Sequence, residues 1–459
     1  MALRHGTPAA RTAADMLIPM LRSMARGGIY DHILGGFARY SVDAQWLIPH
    51  FEKMLYDNAL LARVYLRAWQ LTDIDEFLTV AREVLDYLDG TLADPGGAIH
   101  SAEDADSEGE EGKFAVWSWS ELETLLGDDL DVAAAIYGFT PEGNFEGANN
   151  PHRFIDLATV GASTGLTPTE LAEARASIDA RLAEARRLRT PPARDDKIVA
   201  AWNGLALRAF AEAAAILDDR RYRERAVAIA EFLRSACTPD GDLVRTWRDR
   251  PGHPGFAEDH AAVAVGYYTL YQVTHDSLWF TEAEKLVAKL RSDFAAPDGG
   301  FYATRADAGL IARPRNIQDN PTPSDNALAM EALVIHAALT GDLDAVREAE
   351  RSMALMAGQA LAYPAFGGHA LAVWLTHLVG IDEIAITGTP IGELEAVVWE
   401  TFRPNAVVAI GVGTDGPVPL LVDRGGPDDP AKAFVCRGLV CDLPVSDGDA
   451  LRALLAIDG

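Results

Sequence analysis

Two kinds of helical segment alternate along this chain, and that alternation constrains the fold more than any single motif. One kind is amphipathic. Phe77, Val80, Ala81, Val84, Leu85 and Leu88 recur at helical spacing with charges between them. So do Ala226, Ile229, Ala230 and Leu233, and again Ala283, Leu286, Val287 and Leu290. Each set marks one buried face. The other kind is apolar nearly all round, in runs that begin at Ala59, Leu205, Ala261 and Ala327. A helix with no polar face has to be enclosed by other helices. The simplest arrangement is an inner ring of apolar helices wrapped by an outer ring of amphipathic ones.

Outer helices are expected near 12–25, 77–89, 168–188, 221–236, 279–294 and 343–358. Inner helices are expected near 57–71, 120–138, 203–217, 259–274, 326–340 and 367–379. Six pairs predict a mainly α protein, an (α/α)6 toroid of six helical hairpins over residues 1–380. Beyond that the pattern changes. Glu383–Thr387 and Ala406–Ile410 read as strands with a helix between them near 391–402, a further strand runs through Phe434 and Val435, and Ala450–Ala456 reads as helix. Residues 381–459 are therefore expected to form a small C-terminal α/β subdomain.

Composition narrows the partners. There are 40 Lys plus Arg against 68 Asp plus Glu, a formal net charge of −28. That repels phosphate backbones and anionic lipid, which argues against nucleic acid and membrane surfaces. No stretch approaches the roughly 20 apolar residues of a membrane helix. Arg4, Arg11 and Asp15 interrupt any secretory pattern at the N-terminus, so a cytoplasmic location is expected. Three cysteines exclude a disulfide framework. Cys436 and Cys441 are neither a thioredoxin C-x-x-C nor a complete zinc site, and read as packed thiols or a reversible disulfide. Cys237, at an outer-helix end, reads as structural.

The chemistry-bearing residues fall in the connections. The first, Gly27–Asn58, packs Asp31, His32, Arg39, Tyr40, Trp46, His50, Glu52, Tyr56 and Asp57 into one long loop, and long loops in compact domains are usually functional. Aromatic rings beside carboxylates and imidazoles suit a polyol. The rings cover the sugar face and the polar groups bind its hydroxyls. Alternatively, they form a buried polar network that merely shapes the loop. In His100–Gly112, Asp104 and Asp106 are pocket candidates; the spacing does not match a calcium loop. Asp196 precedes Trp202 and Asn203 at one inner-helix start, Glu258, Asp259 and His260 stand at the next, and Asp325 at another.

Taken singly, these acids and amides read as helix N-caps. In a toroid the inner helices run in one direction, so their N-terminal loops meet at one rim and separate caps would share one pocket. Clustered carboxylates raise one another's pKa into the range of a general acid. Two reactions on a sugar-like small molecule are in play. Inverting hydrolysis needs two carboxylates roughly 6.5–9.5 Å apart, drawn from Asp57, Asp104, Asp196 and Asp259. Epimerisation or isomerisation needs an acid and a base flanking one carbon, most naturally from His32, His50 and His260. No cofactor or metal is expected. The rival from another class is a binding or scaffold protein without catalysis.

The motifs together resemble the YyaL and spermatogenesis-associated protein 20-like family. They are Pro49–Ala59, Ser101–Phe114, Gly143–Gly147, Asp195–Ile198, Trp202–Leu205 and Val435–Cys441, in that order. The resemblance covers nearly the whole chain. It implies a six-hairpin toroid similar to N-acylglucosamine 2-epimerases and (α/α)6 glycosidases. Members usually begin with a thioredoxin-like domain. None is read here, which fits either a natural short form or a truncated one; a separately encoded thioredoxin-like partner is one option, and no thioredoxin activity is carried over. Ala38 and Ala115 stand where the pattern has histidine and an aromatic, and Asp325 where it has glycine.

Overall fold

The computed structural model describes residues 7–411, 416–438 and 440–455. Six outer–inner pairs follow one another along the described chain. Helix α1 (Pro8–Arg26) leads into α2 (Leu55–Thr72), and α3 (Asp75–Gly90) into the short α4 (Trp119–Leu126) and α5 (Leu130–Tyr137). After α6 (Leu157–Thr164), α7 (Pro168–Arg187) leads into α8 (Ala200–Leu217), α9 (Arg220–Ser235) into α10 (Ala257–Thr274), α11 (Ser277–Lys289) into α12 (Asp325–Thr340), and α13 (Leu343–Ala362) into α14 (Gly368–Val379). The protein is a mainly α toroid of helical hairpins with a small C-terminal α/β appendage.

Burial follows the sequence pattern. In α10 every residue from Ala257 to Val273 is buried except Glu258. The amphipathic α9 buries Tyr222, Ala226, Ile229, Ala230, Phe232 and Leu233 and leaves its other face to solvent. Helices α2, α8, α10 and α12 pack side by side in that order, with α14 beside α12. The α8–α10 crossing is close because it is made by glycines. A Cβ on Gly204 would lie 2.6 Å from the Ala262 carbonyl carbon, and one on Gly266 2.9 Å from the Gly204 oxygen.

The second inner position departs from expectation. Instead of one helix over 120–138, α4 and α5 are separated at Gly127, whose φ of 52° ends the first helix. Leu122, Leu126, Ala133, Ile136 and Tyr137 pack with Leu171, Ile178 and Leu182 of α7 in a core of their own. The inner layer is therefore carried by the five long helices α2, α8, α10, α12 and α14.

The appendage holds a four-stranded sheet. Asp382–Thr387 pairs parallel with Ala406–Ile410 and antiparallel with Lys432–Arg437, which pairs with Val440–Cys441. Strand alternation sorts the side chains by size. Ile384, Ile386, Val408, Ile410 and Val435 pack on α15 (Gly392–Glu400) and α16 (Gly448–Leu454), while Ala385, Val407 and Ala409 join the main helical core. Ala456, the last residue of the expected terminal helix, lies outside the described residues. Cys436 and Cys441 form a disulfide between adjacent strands, and Cys237 is a buried free thiol. Gln70 Nε2 donates to the Trp399 carbonyl at 2.8 Å, and Val408 N donates to Gln272 Oε1 at 2.9 Å. Gln70 and Gln272 lie in the last turns of α2 and α10, so the appendage covers the C-terminal end of the inner layer. No helix among the described residues is long and apolar enough to cross a membrane.

Candidate functional site

Three inner helices begin with the same device. Asn58 Oδ1 accepts from Phe37 N at 2.7 Å, while its Nδ2 donates to the carbonyls of Phe37 and Met54 at 3.0 and 2.9 Å. Asn203 does the same with Ile99 and Val199, and Asn326 with Phe301 and Asn316. In α10 the slot is held by His260, whose Nδ1 bonds the Phe256 carbonyl at 2.8 Å. Each asparagine clamp ties a preceding segment to its helix and satisfies buried backbone groups, while His260 bonds the cap of its own helix. Asn203 and His260, both read as site residues from the sequence, hold the backbone here.

The residues just before the clamps are Asp57, Trp202, Asp259 and Asp325, and they fall along one edge of the inner layer. The Tyr56 ring meets the Trp202 indole edge-to-face, with centroids 4.8 Å apart, linking α2 to α8. Asp259 links α8 to α10. It is fully buried, accepting from Ala201 N at 3.0 Å, Phe256 N at 2.8 Å and Arg245 Nη1 at 3.2 Å. Arg245 also pairs with Glu258. Asp325, on α12, accepts from Asn316 Nδ2 at 2.8 Å.

All three carboxyls are pushed up to about 7, chiefly by burial. For Asp57 the nearby Arg39 opposes the rise and Glu52 adds to it; for Asp259, Arg245 opposes and Glu258 adds; for Asp325, Glu258 adds. Their bonding differs. Both oxygens of Asp259 are satisfied, whereas Asp57 Oδ2 is buried with no hydrogen-bond partner. A buried unpaired carboxyl oxygen carries a desolvation cost that a proton or a ligand hydroxyl would relieve.

Around Asp57 lies a polar shell. Arg39 Nη1 donates to Glu52 Oε2 at 3.1 Å, and the Arg39 charge opposes the rise that burial gives the Tyr56 hydroxyl. His50 Nε2 lies 3.7 Å from Glu52 and its Nδ1 2.7 Å from Glu111. The exposed Tyr40 stacks on the His50 ring at 5.0 Å. Trp46 packs against the core in a left-handed conformation (φ 64°), its carbonyl accepting from Ile29 N at 3.1 Å.

Other expected site residues sit elsewhere. Asp31 is buried in a bidentate pair with Arg186 (2.7 and 2.6 Å) and bonds Lys53 at 2.7 Å. Burial pushes its carboxyl up, but Arg186 and Lys53 outweigh that and hold it well below the usual carboxylate range. His32 is buried, with Nε2 on the Gly27 carbonyl at 2.9 Å and Nδ1 without a partner. Burial and the neighbouring Arg153 keep it neutral. Asp104 and Asp106 are exposed, and Asp104 accepts amides of its own loop. Asp104 borders a small cavity of about 40 Å³ shared with His32, Lys53, Glu103, Phe114 and Arg186. Asp196 pairs with Arg194 at 2.6 Å on the surface. The structure thus groups Arg39, Glu52, Tyr56, Asp57 and Trp202, and groups Glu258, Asp259 and Asp325 around Arg245 and its contacts. It leaves Asp104, Asp106 and Asp196 apart.

A further set was not singled out from the sequence. Glu212 of α8 receives Arg63 Nε at 2.9 Å, Arg67 Nη2 at 2.8 Å and Arg208 Nε at 3.2 Å. Arg208 Nη2 reaches Glu331 of α12 at 2.8 Å, and Glu331 meets His369 of α14 at 2.9 Å. Side chains from four inner helices therefore join across the axis. Burial pushes Glu212 up, but the three guanidinium groups win and hold it down at about 2. The signal was present as single charges inside apolar runs, Arg63 and Arg67 in α2, Arg208 and Glu212 in α8 and Glu331 in α12, because a charge on an enclosed helix needs a buried partner.

No family model matches the chain. Human spermatogenesis-associated protein 20 is 30% identical over 494 aligned positions, covering 96% of this chain and 63% of that protein. The mouse protein of the same name is 30% identical, covering 96% and 62%. The chain thus spans less than two thirds of the length of these relatives. Among solved structures it is similar to cellobiose 2-epimerase from Spirochaeta thermophila DSM 6192 (14% identity, TM-score 0.48, 77% of this chain and 70% of that one). It is also similar to unsaturated glucuronyl hydrolase from Bacillus sp. GL1 (14%, TM-score 0.41, 72% and 69%). The chain is a homologue of the spermatogenesis-associated protein 20 family, related to it along nearly all of its own length.

Proposed function

We propose that the chain is an enzyme acting on a small, sugar-like polyol at the N-terminal mouth of the inner layer, with Asp57 as the group that exchanges the proton. The observation that carries this reading is the state of Asp57. Its carboxyl titrates at about 7, and its Oδ2 is buried without a partner. A carboxyl half-protonated at neutral pH serves equally as acid and base. Arg39 and Glu52 supply hydrogen-bonding groups beside it, and the half-buried Trp202 supplies ring surface of the kind that covers a sugar face, with the buried Tyr56 ring packed behind it.

The arrangement favours proton transfer on one carbon, as in epimerisation or isomerisation, over inverting hydrolysis. Of the carboxylates considered for hydrolysis, Asp104 and Asp196 lie at the surface and Asp259 has both oxygens engaged. That leaves Asp57 without a second free carboxylate from that set. The test is a mass-spectrometric screen of monosaccharides, sugar phosphates and oligosaccharides in heavy water, with wild type and Asp57→Asn. Turnover with deuterium incorporation that Asp57→Asn abolishes is the expected result. Bound ligand without turnover would support a binding protein instead, and turnover that survives Asp57→Asn would remove the assigned role.

A further inference from the structure

The interior cavity at the opposite, C-terminal end of the inner layer differs from the mouth in charge. It measures about 230 Å³ and lies between the helices and the appendage. Its walls carry four arginines, Arg63, Arg67, Arg208 and Arg403, against two glutamates, Glu212 and Glu331. This excess of positive charge sits inside a chain whose net charge is −28. Buried charge is retained only when it is paired or when something is meant to pair with it.

The donors are not all spent. Arg63 engages Glu212 through Nε, and its two terminal nitrogens have no hydrogen-bond partner among the described residues. Arg208 uses Nε and Nη2, leaving Nη1. Arg67, by contrast, is fully committed to Glu212 and Gln70 and lies over the Phe402 ring at 4.8 Å. The crowding is felt electrostatically, since burial, with Arg63 and Arg208 nearby, pushes Arg67 down to about 10 despite Glu212. Unspent guanidinium edges facing one cavity are the geometry that takes a planar or tetrahedral oxyanion.

We infer that this axial cavity is a binding site for a small oxyanion, a carboxylate or phosphate group of a metabolite, held by the free edges of Arg63 and Arg208. It is separate from the Asp57 mouth, and either assignment can fail without the other. The experiment is isothermal titration of the full chain with sodium phosphate and with sodium malonate, against sodium chloride at equal ionic strength. Wild type should bind at least one of the two anions, and which one separates the phosphate from the carboxylate source. Arg63→Gln should weaken that binding about tenfold, the worth of a charge-assisted hydrogen bond. Ala372→Phe, which fills the cavity from an exposed wall position without removing a charge, should weaken it as well. It keeps the test open if Arg63→Gln fails to fold. Arg39→Gln at the mouth should bind the anion as wild type does. Heat no different from chloride with both anions, or undiminished binding in the folded cavity variants, would overturn the site.

Discussion

The two ends of the inner helix layer treat their carboxyls in opposite ways. At the N-terminal mouth Asp57, Asp259 and Asp325 are lifted to about 7, each with at most one arginine near it to oppose burial. On the axis Glu212 is as thoroughly enclosed, yet three arginines hold it at about 2. Burial alone does not decide whether a carboxyl in this fold is a structural anion or a proton carrier. The number of cations within reach decides it. The mouth carries carboxyls that gain and lose protons near neutrality, and the axis carries one that stays charged.

The largest effect should come from breaking the axis. Glu212→Gln leaves three clustered arginines without their shared counter-charge, and should cost roughly 3–5 kcal/mol of stability in denaturant unfolding. A loss near zero would mean the network is not buried as described. Next comes the clamp at the start of α8, the helix that also carries Glu212. Asn203→Ala leaves Ile99 N and two carbonyls unpaired, and should cost about 1–3 kcal/mol by the same measurement.

The comparison also fixes the sign of the pH dependence. Asp57 titrates at about 7 folded against 3.8 as its ordinary value. Between those values the unfolded chain has released a proton that the folded chain keeps, so stability falls as pH rises through that window and then levels off. Glu212, at about 2 against 4.5, does the reverse, and its contribution is complete above 4.5 and lost as pH falls towards 2. Asp57→Asn should flatten part of the fall between about pH 4 and 7, leaving the parts due to Asp259 and Asp325. An unchanged profile in thermal melts would show that Asp57 is not shifted. The smallest effect is expected off the mouth, where Asp104→Asn and Asp196→Asn should leave any turnover found in the sugar screen at the wild-type level.

Much of the fold was legible because enclosure leaves a mark on composition. A helix such as α10, buried at nearly every position, has almost no polar residues to spare, and its partner α9 shows the opposite pattern. The region 120–138 misled because Leu122, Leu125, Leu126 and Ala133–Ile136 supply the same apolar density, although Gly127 followed by two aspartates marks the break. Packing against α7 rather than α2 is a long-range choice that local periodicity does not encode. The candidate site was legible in part. Acidic residues at helix starts were found, but caps and free carboxyls look alike until the partner atoms are known. Asn203 and Asp259 turned out to be engaged on the backbone, and Asp57 retained an unpaired oxygen. The axial network was written in α2, α8 and α12 as isolated charges, and which of them meet depends on how neighbouring helices are rotated.

The most direct measurement is a carbon-13 NMR titration of labelled aspartate carboxyls, with the Asp57 signal assigned by its loss in Asp57→Asn. A midpoint at about 7 would establish the proton-exchanging carboxyl on which the proposed function stands. A midpoint at the ordinary 3.8 would make Asp57 one more surface-like anion and contradict it.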